Sequence, residues 1–348
     1  MNDAIQHMIT LSQHPLNAET PRSALREQLT PNHSFYVRNH FEVPSIDDFT
    51  WKLKVEGVAN NGIEFTLESI QALPQQDMVV LLECAGNGRT TLDPPVNGIL
   101  WDLGAVAQAK FTGTSLKNLL DLIETPANTV EVLFTGADSG EVRTGESTPY
   151  ARSLPIDIAL HPDVMLVWSM NDEPLPFNHG YPLRLLVPGW YGMASVKWLQ
   201  QIGFLNSPYE GFFQQREYVY MDNDDLPGGA PVQETRVRSM ILSHFDEDTV
   251  DVGIQQISGI AWSGQGEITE VLNSIDGGAD WRPAELIKSN NHYGWTQWHT
   301  RLEFSQPGTY TLITRATDSD GNMQPLSQIW NRGGYGNNMV QQINLHAA

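Results

Sequence analysis

The sequence predicts an α+β domain followed by an all-β sandwich. Three observations carry this prediction. Short apolar runs with helix and strand spacing alternate through the first two-thirds of the chain. An acidic, Pro/Gly-rich stretch, DNDDLPGGAPVQE at 222–234, then breaks the pattern. Beyond it nearly every run is a short strand bounded by turn residues. A length of 348 residues suits two domains better than one, and an apolar share of 40% suffices for a real core. The expected division is 1–225 and 226–348.

Taken in order, the first forty residues are rich in Pro, Asn and His and read as an extended arm. TWKLKVEGV (50–58) alternates like a half-buried strand. TLESIQAL (66–73) has Thr66 followed by an acidic residue in its first turn, a capping-box start to a short helix. MVVLLECAG (78–86) is a continuous apolar run suited to a buried strand, and it enters the Gly-rich turn AGNGR. WDLGAVAQA (101–109) and SLKNLLDLI (115–123) have helical spacing. TVEVLFTGAD (129–138) returns to strand, and PIDIALHP (155–162) fits either state. PLRLLVPGW (182–190) and SVKWLQQIGF (195–204) are apolar strands around a Pro-Gly turn. After the acidic stretch come DVGIQQISGIAW (251–262), EITEVLNSID (267–276), TQWHTRLEF (296–304) and TYTLITRATD (309–318). Their spacing indicates a β-sandwich of immunoglobulin type. DSDGN (318–322) resembles the start of a calcium loop, but its Gly comes two places early and Ile329 stands where a Glu is needed, so it reads as a hairpin turn.

The formal net charge is −21, from 41 acidic and 20 basic side chains. Such a surface repels nucleic acid and anionic lipid and favours cationic partners. One cysteine excludes an intrachain disulfide and any Cys-rich zinc or iron–sulfur site. No run of about 18 apolar residues is present, so no membrane span is expected. The N-terminus lacks a basic start, an apolar segment and a twin-arginine pair. A cytoplasmic protein is therefore expected, or a periplasmic one if an export signal has been removed.

Against this acidic background, several segments gather positive charge. Cys84 ends an apolar strand and opens a turn with Gly86 and Gly88, five residues before Arg89. A thiolate there is a candidate nucleophile or metal ligand. On this fragment alone an inert buried thiol is the more ordinary outcome. In FYVRNH (35–40), alternation puts Tyr36, Arg38 and His40 on one face, which suits an oxyanion as well as it suits a solvated strand edge. Arg184 and Lys197 are cations set among apolar strand residues. Buried, they need an anion such as a phosphate; otherwise they are exposed strand charges. Tyr218, in QQREY, is by itself more ordinary as a core or surface residue.

Together these segments closely resemble the sulfite oxidase family, which includes assimilatory nitrate reductase and sulfane dehydrogenase. Seven occur in family order: FYVRNH (35–40), ECAGNGR (83–89), GILWDLGAV (98–106), FTGADSG (134–140), HGYPLRLLVPGWYGMASVKWL (179–199), QREY (215–218) and IWNRGGYGNN (329–338). The resemblance covers nearly the whole chain. It implies a molybdopterin-binding domain followed by an immunoglobulin-like dimerisation domain. Carried over residue by residue, it makes Cys84 the thiolate that binds molybdenum. Tyr36, Val37, Arg38, Asn39, His40, Asp138, His179, Arg184, Ser195, Val196 and Lys197 then line the pterin. Arg38, Arg89, Trp101 and Tyr218 form the sulfite pocket. Arg332 is a possible further cation, although it directly follows Asn331 where many relatives place one residue between.

The resemblance also implies oxidation of sulfite to sulfate by oxygen-atom transfer, in a homodimer. Animal members carry a cytochrome b5 domain in front. This sequence shows no room for one and no His-Pro-Gly-Gly signature. No haem is therefore expected in the chain, and its electrons go to an external acceptor, a cytochrome c or oxygen. Alternatives are sulfane oxidation or nitrate reduction with the same cofactor, or a non-catalytic dimeric scaffold.

Overall fold

A computed structural model describes residues 8–57, 62–221, 229–287, 289 and 291–348. The chain is mostly β. Among the described residues the α-helices are four short segments, Leu67–Gln71, Leu116–Leu120, Ile156–Ala159 and Phe212–Gln215. The α+β pattern of short helices and strands expected in the first two-thirds is thereby corrected towards β.

The expected arm is structured. Ile9–Gln13 and Leu16–Glu19 form an antiparallel pair, and Leu16–Glu19 also pairs with Val37–Arg38. This small sheet sets Arg38 opposite Asn17. Thr66 caps its helix by accepting from the Ser69 N–H at 3.2 Å, so Ser69 and not an acidic residue holds the third position. The segment 101–109 is not helical. Val106–Ser115 is a long strand paired along Gln75–Glu83, from Glu83↔Val106 to Gln75↔Thr114. Nearly every residue of that strand is buried. A strand covered on both faces reads as an unbroken run of small apolar residues, and helical spacing can be found in any such run.

Two five-stranded sheets organise the first part. One orders Glu173–Pro174, Met165–Met170, Val106–Ser115 and Gln75–Glu83, with Arg184–Leu186 also on Met165–Met170. The other orders Ile63–Phe65, Leu53–Glu56, Leu199–Leu205, Glu131–Glu141 and Ser147–Pro155. The second part has a four-stranded sheet (Arg238–Ile241, Gly253–Trp262, Thr296–Phe304, Glu285–Ile287). A five-stranded sheet faces it (Asp248–Val250, Gln341–Ala347, Gly308–Asp318, Ile268–Ser274, Arg282–Pro283). Side chains from both, among them Ile257, Trp298, Leu312 and Leu345, share one core. Most of the acidic linker, including the expected division at 225/226, lies outside the described residues. The 318–322 segment is a turn in which Asp318 accepts from the Asp320 and Asn322 N–H groups. No helix among the described residues is long and apolar enough to cross a membrane.

Candidate active site

Cys84 leaves the buried strand Gln75–Glu83 and starts the glycine turn. Its N–H donates to the Ala105 carbonyl at 2.8 Å, and its carbonyl accepts from the Asn87 N–H at 2.9 Å. Burial raises the thiol pKa, while Arg38 and Arg89 pull it back down. The expected influence of Arg89 on the thiolate is thus present, together with that of Arg38.

A cavity lies beside Cys84. Its lining includes Tyr36, Arg38, His40, Asp138, His179, Arg184, Ser195, Lys197 and Tyr218, so most of the residues singled out from sequence converge here. Val37, Asn39 and Val196 are buried behind it and do not line it. Asn39 accepts from the Lys197 ammonium, which also donates to the Asn178 carbonyl at 2.8 Å. Gly180 is what brings Lys197 and Arg184 together. It has φ +108°, and a Cβ there would stand 3.0 Å from Lys197 Cβ and 3.1 Å from Arg184 Cβ.

The cations in this cavity outnumber its one carboxylate, Asp138. Burial and the neighbouring Arg184 push Lys197 well below its ordinary pKa. Burial lowers Arg184 to about 10. Burial, then Lys197 and Arg184, lower His179 to about 3. Burial also raises Asp138 to about 6, against the pull of Lys197. A bound anion would relieve the cations at once. The polar atoms agree with such a ligand: Asp138 Oδ1 and Arg184 Nε are buried with no hydrogen-bond partner. So is Nε1 of Trp101, which packs edge-on against Tyr36 at 6.5 Å. Free buried donors, a free acceptor, stacked aromatic rings and two cations fit a polar heterocycle carrying a phosphate, with Cys84 as the soft ligand for a metal.

A second cavity shares Arg38 with the first and is lined also by Arg89, Arg143, Arg216 and Arg332, with Glu217 as its carboxylate. Arg332 therefore lines this second cavity and not the one beside Cys84. Arg89 is fixed by two donations to the Gly333 carbonyl, at 3.0 Å and 2.8 Å, and lies over the Tyr335 ring. Tyr335 donates to Glu217 at 2.8 Å, and Glu217 also pairs with Arg143 at 2.6 Å. Tyr218 has φ +55° and Trp198 has φ +48°, strained backbone of the kind that clusters at working sites.

Sequence reasoning missed Arg152. It is 1% exposed, donates to the Phe213 carbonyl, and lies 5.8 Å from the Tyr218 ring centroid. It also missed Tyr150, which stacks on His40, and Asn178. The only available signal for Arg152 was an arginine inside a strand of small residues, with nothing nearby to mark it.

Residues 40–213 match the family model "Oxidoreductase molybdopterin binding domain", and residues 230–348 match "Mo-co oxidoreductase dimerisation domain". Fold and site thus define a molybdopterin-binding oxidoreductase. The sulfite oxidase of Arabidopsis thaliana is 33% identical, over 96% of this chain and 92% of that protein. The mitochondrial sulfite oxidase of Drosophila melanogaster is 36% identical, over 96% of this chain and 62% of its own length, so this chain spans less than two thirds of that relative. The chain belongs to the sulfite oxidase family. Its fold is similar to that of the sulfane dehydrogenase SoxCD from Paracoccus pantotrophus, with a TM-score of 0.83, 27% identity, and coverage of 97% of this chain and 86% of that one.

Proposed function

We propose that this chain oxidises sulfite to sulfate with a molybdenum–molybdopterin cofactor bound through Cys84. The observation that carries the proposal is the gathering of Arg38, Arg89, Arg152, Arg184 and Lys197 at and around the cavity that holds the single thiol of a chain with net charge −21. When bound, the cofactor supplies a sulfur-ligated metal that exchanges an oxygen atom and two electrons with substrate. Sulfite plus water becomes sulfate, two protons and two electrons, and the electrons leave to an external acceptor such as a cytochrome c or oxygen.

The chain's own residues bind, orient and move protons. Arg184 and Lys197 neutralise the pterin phosphate, while Tyr36, Asp138, His179 and Ser195 line the ring system. Val37, Asn39 and Val196 hold the backbone of that bed, and Asn39 fixes Lys197. Arg38 and Arg89 draw in the sulfite anion and hold it over Cys84. Trp101, buried edge-on against Tyr36, keeps a free N–H although it does not itself line the cavity. Tyr218 holds a proton at its hydroxyl next to the substrate, with His40 behind it. Arg332 adds attraction from the second cavity. The second domain, with the immunoglobulin-type topology its strand spacing suggests, joins two copies into a homodimer.

The likeness to SoxCD favours a second reading, oxidation of a sulfane sulfur, which would use the same cofactor and the same cations. The deciding experiment measures molybdenum content together with reduction of ferricyanide and of cytochrome c, using sulfite, a sulfane-sulfur compound and nitrate in parallel. Stoichiometric molybdenum with sulfite as the best substrate supports the proposal. A preference for sulfane sulfur or nitrate moves the substrate, and a protein lacking molybdenum is a scaffold. Cytochrome reduction separates a cytochrome acceptor from oxygen.

A further inference from the structure

The turn that carries Cys84 is held from the other half of the molecule. Glu83, immediately before the cysteine, is 1% exposed. Its Oε1 accepts from Arg238 at 3.1 Å and from Asn87 Nδ2 at 2.9 Å. Its Oε2 accepts from Trp262 Nε1 at 2.9 Å. Arg238 and Trp262 are cross-strand partners on the four-stranded sheet of the second domain. Arg238 also donates to the Asn87 carbonyl at 3.3 Å. Gly88 makes this approach possible: it has φ +81°, and a Cβ there would lie 2.7 Å from Arg238 Nη2. The same domain reaches the turn twice more. The Gly336 N–H donates to the Ala85 carbonyl at 2.7 Å, and Asn337 Nδ2 to the Gly88 carbonyl at 2.9 Å.

We propose that Arg238 is a positioning residue for the Cys84 thiolate, so that the second domain, beyond joining subunits, fixes the metal-binding turn. A metal ligand has to be held to within tenths of an ångström, and that tolerance is met by the groups that hold the ligand's own backbone. Here the cysteine is flanked on both sides by residues anchored to Arg238: Glu83 before it and Asn87 after it. Removing the guanidinium leaves a buried carboxylate without its cation one residue from the thiol. Broken buried pairs are strongly unfavourable, and the turn can relieve this one only by moving. The proposal rests on the cofactor assignment above, and its test separates the two.

The experiment compares wild type, Arg238→Met, Arg238→Lys and Trp262→Phe. In the holoprotein it records the thiolate-to-metal charge-transfer band and the metal's reduction potential. In cofactor-free protein it records the rate of maleimide labelling, which reports on Cys84 alone because the chain has one cysteine. Arg238→Met is expected to shift the band and potential and to raise the labelling rate by roughly tenfold or more, with Arg238→Lys returning all three towards wild type. A wild-type band and a wild-type labelling rate in Arg238→Met overturn the proposal. If Arg238→Met does not fold, Trp262→Phe decides: it removes one neutral donor to Glu83, and wild-type values for both quantities overturn the proposal equally. A wild-type protein without molybdenum sinks the cofactor assignment, and labelling still decides whether Arg238 holds the turn.

Discussion

The Tyr218 hydroxyl lies 2.7 Å from Nε2 of His40. The two side chains come from segments 178 residues apart and meet inside the cavity that holds Cys84. Burial and the nearby Arg38, Lys197, Arg152 and Arg89 hold His40 well below its ordinary pKa, so its ring is neutral at physiological pH. A neutral imidazole can orient the tyrosine proton without repelling it. Tyr218→Phe should therefore keep the fold and the cofactor but lower kcat/KM for sulfite by about 10²-fold, the scale of losing one positioned donor. Its pH profile should show no ionisation near 6.5 attributable to His40. Steady-state kinetics from pH 5.5 to 9 check this, and a variant as fast as wild type removes Tyr218 from the mechanism.

Gly180 supports a second prediction. Alanine there adds strain from a left-handed backbone of φ +108° and crowds both Lys197 and Arg184. The backbone term alone is about 1–2 kcal/mol. Gly180→Ala should lower the apoprotein's melting temperature and reduce the pterin content of the purified protein. Lys197→Met should reduce pterin content without the backbone cost. Thermal melts set beside cofactor analysis distinguish the two. Pterin retained in full by both variants would show that these cations do not hold the phosphate.

Much of this site was legible because its residues break local rules. Arg184 opens a short apolar strand, while Lys197 lies in the bend before Leu199–Leu205 and not in the strand expected there; cations placed among apolar residues in this way demand an anion. Arg38 and His40 alternate on one face, and Cys84 follows the apolar run Met78–Leu82 and Glu83. What stayed hidden has no local anomaly. Arg238 lies 155 positions from Glu83, and only the packed domains bring them together. Arg152 acts through burial, which periodicity does not reveal in a strand of small residues. The helix expected at 101–109 went wrong for a related reason: a strand covered on both faces loses the alternation that identifies strands.

The buried histidines dictate a pH dependence. His179 is held at about 3, against an ordinary 6.5. Below pH 6.5 the unfolded chain binds a proton that the folded ring refuses. Its contribution is thus fully present above pH 6.5 and is lost as pH falls towards 3, at about 1.4 kcal/mol per pH unit. Asp138, raised to about 6, works in the opposite sense between its unfolded and folded values, so the wild-type curve alone is a mixture. The difference between proteins isolates the histidine. Cofactor-free His179→Gln should gain stability relative to wild type by about 1.4 kcal/mol for each unit the pH drops below 6.5. Urea unfolding at pH 7, 6 and 5 measures it, and parallel curves would mean that His179 takes up its proton normally in the folded state.

Taken as the mouth of the site, the arginine-lined second cavity predicts how substrate arrives. Arg38 and Arg89 line it, and Arg216 is exposed there. Exposed charges act through water and are screened beyond a Debye length of about 10 Å at 0.1 M salt, whereas buried ones are screened much less. A sulfite dianion approaching an acidic protein therefore depends on this cationic mouth for its encounter rate and on Arg38 for its binding. The kcat/KM for sulfite should fall several-fold as ionic strength rises from about 0.01 M to 0.1 M, with kcat little changed. Arg216→Gln should flatten that salt dependence and leave kcat alone. Arg38→Gln should instead raise KM roughly tenfold at every salt concentration, because it removes a contact and not a field. Kinetics at three ionic strengths distinguish the roles. A salt-independent wild type would rule out steering by the mouth, and an unchanged KM in Arg38→Gln would take that residue out of the substrate pocket.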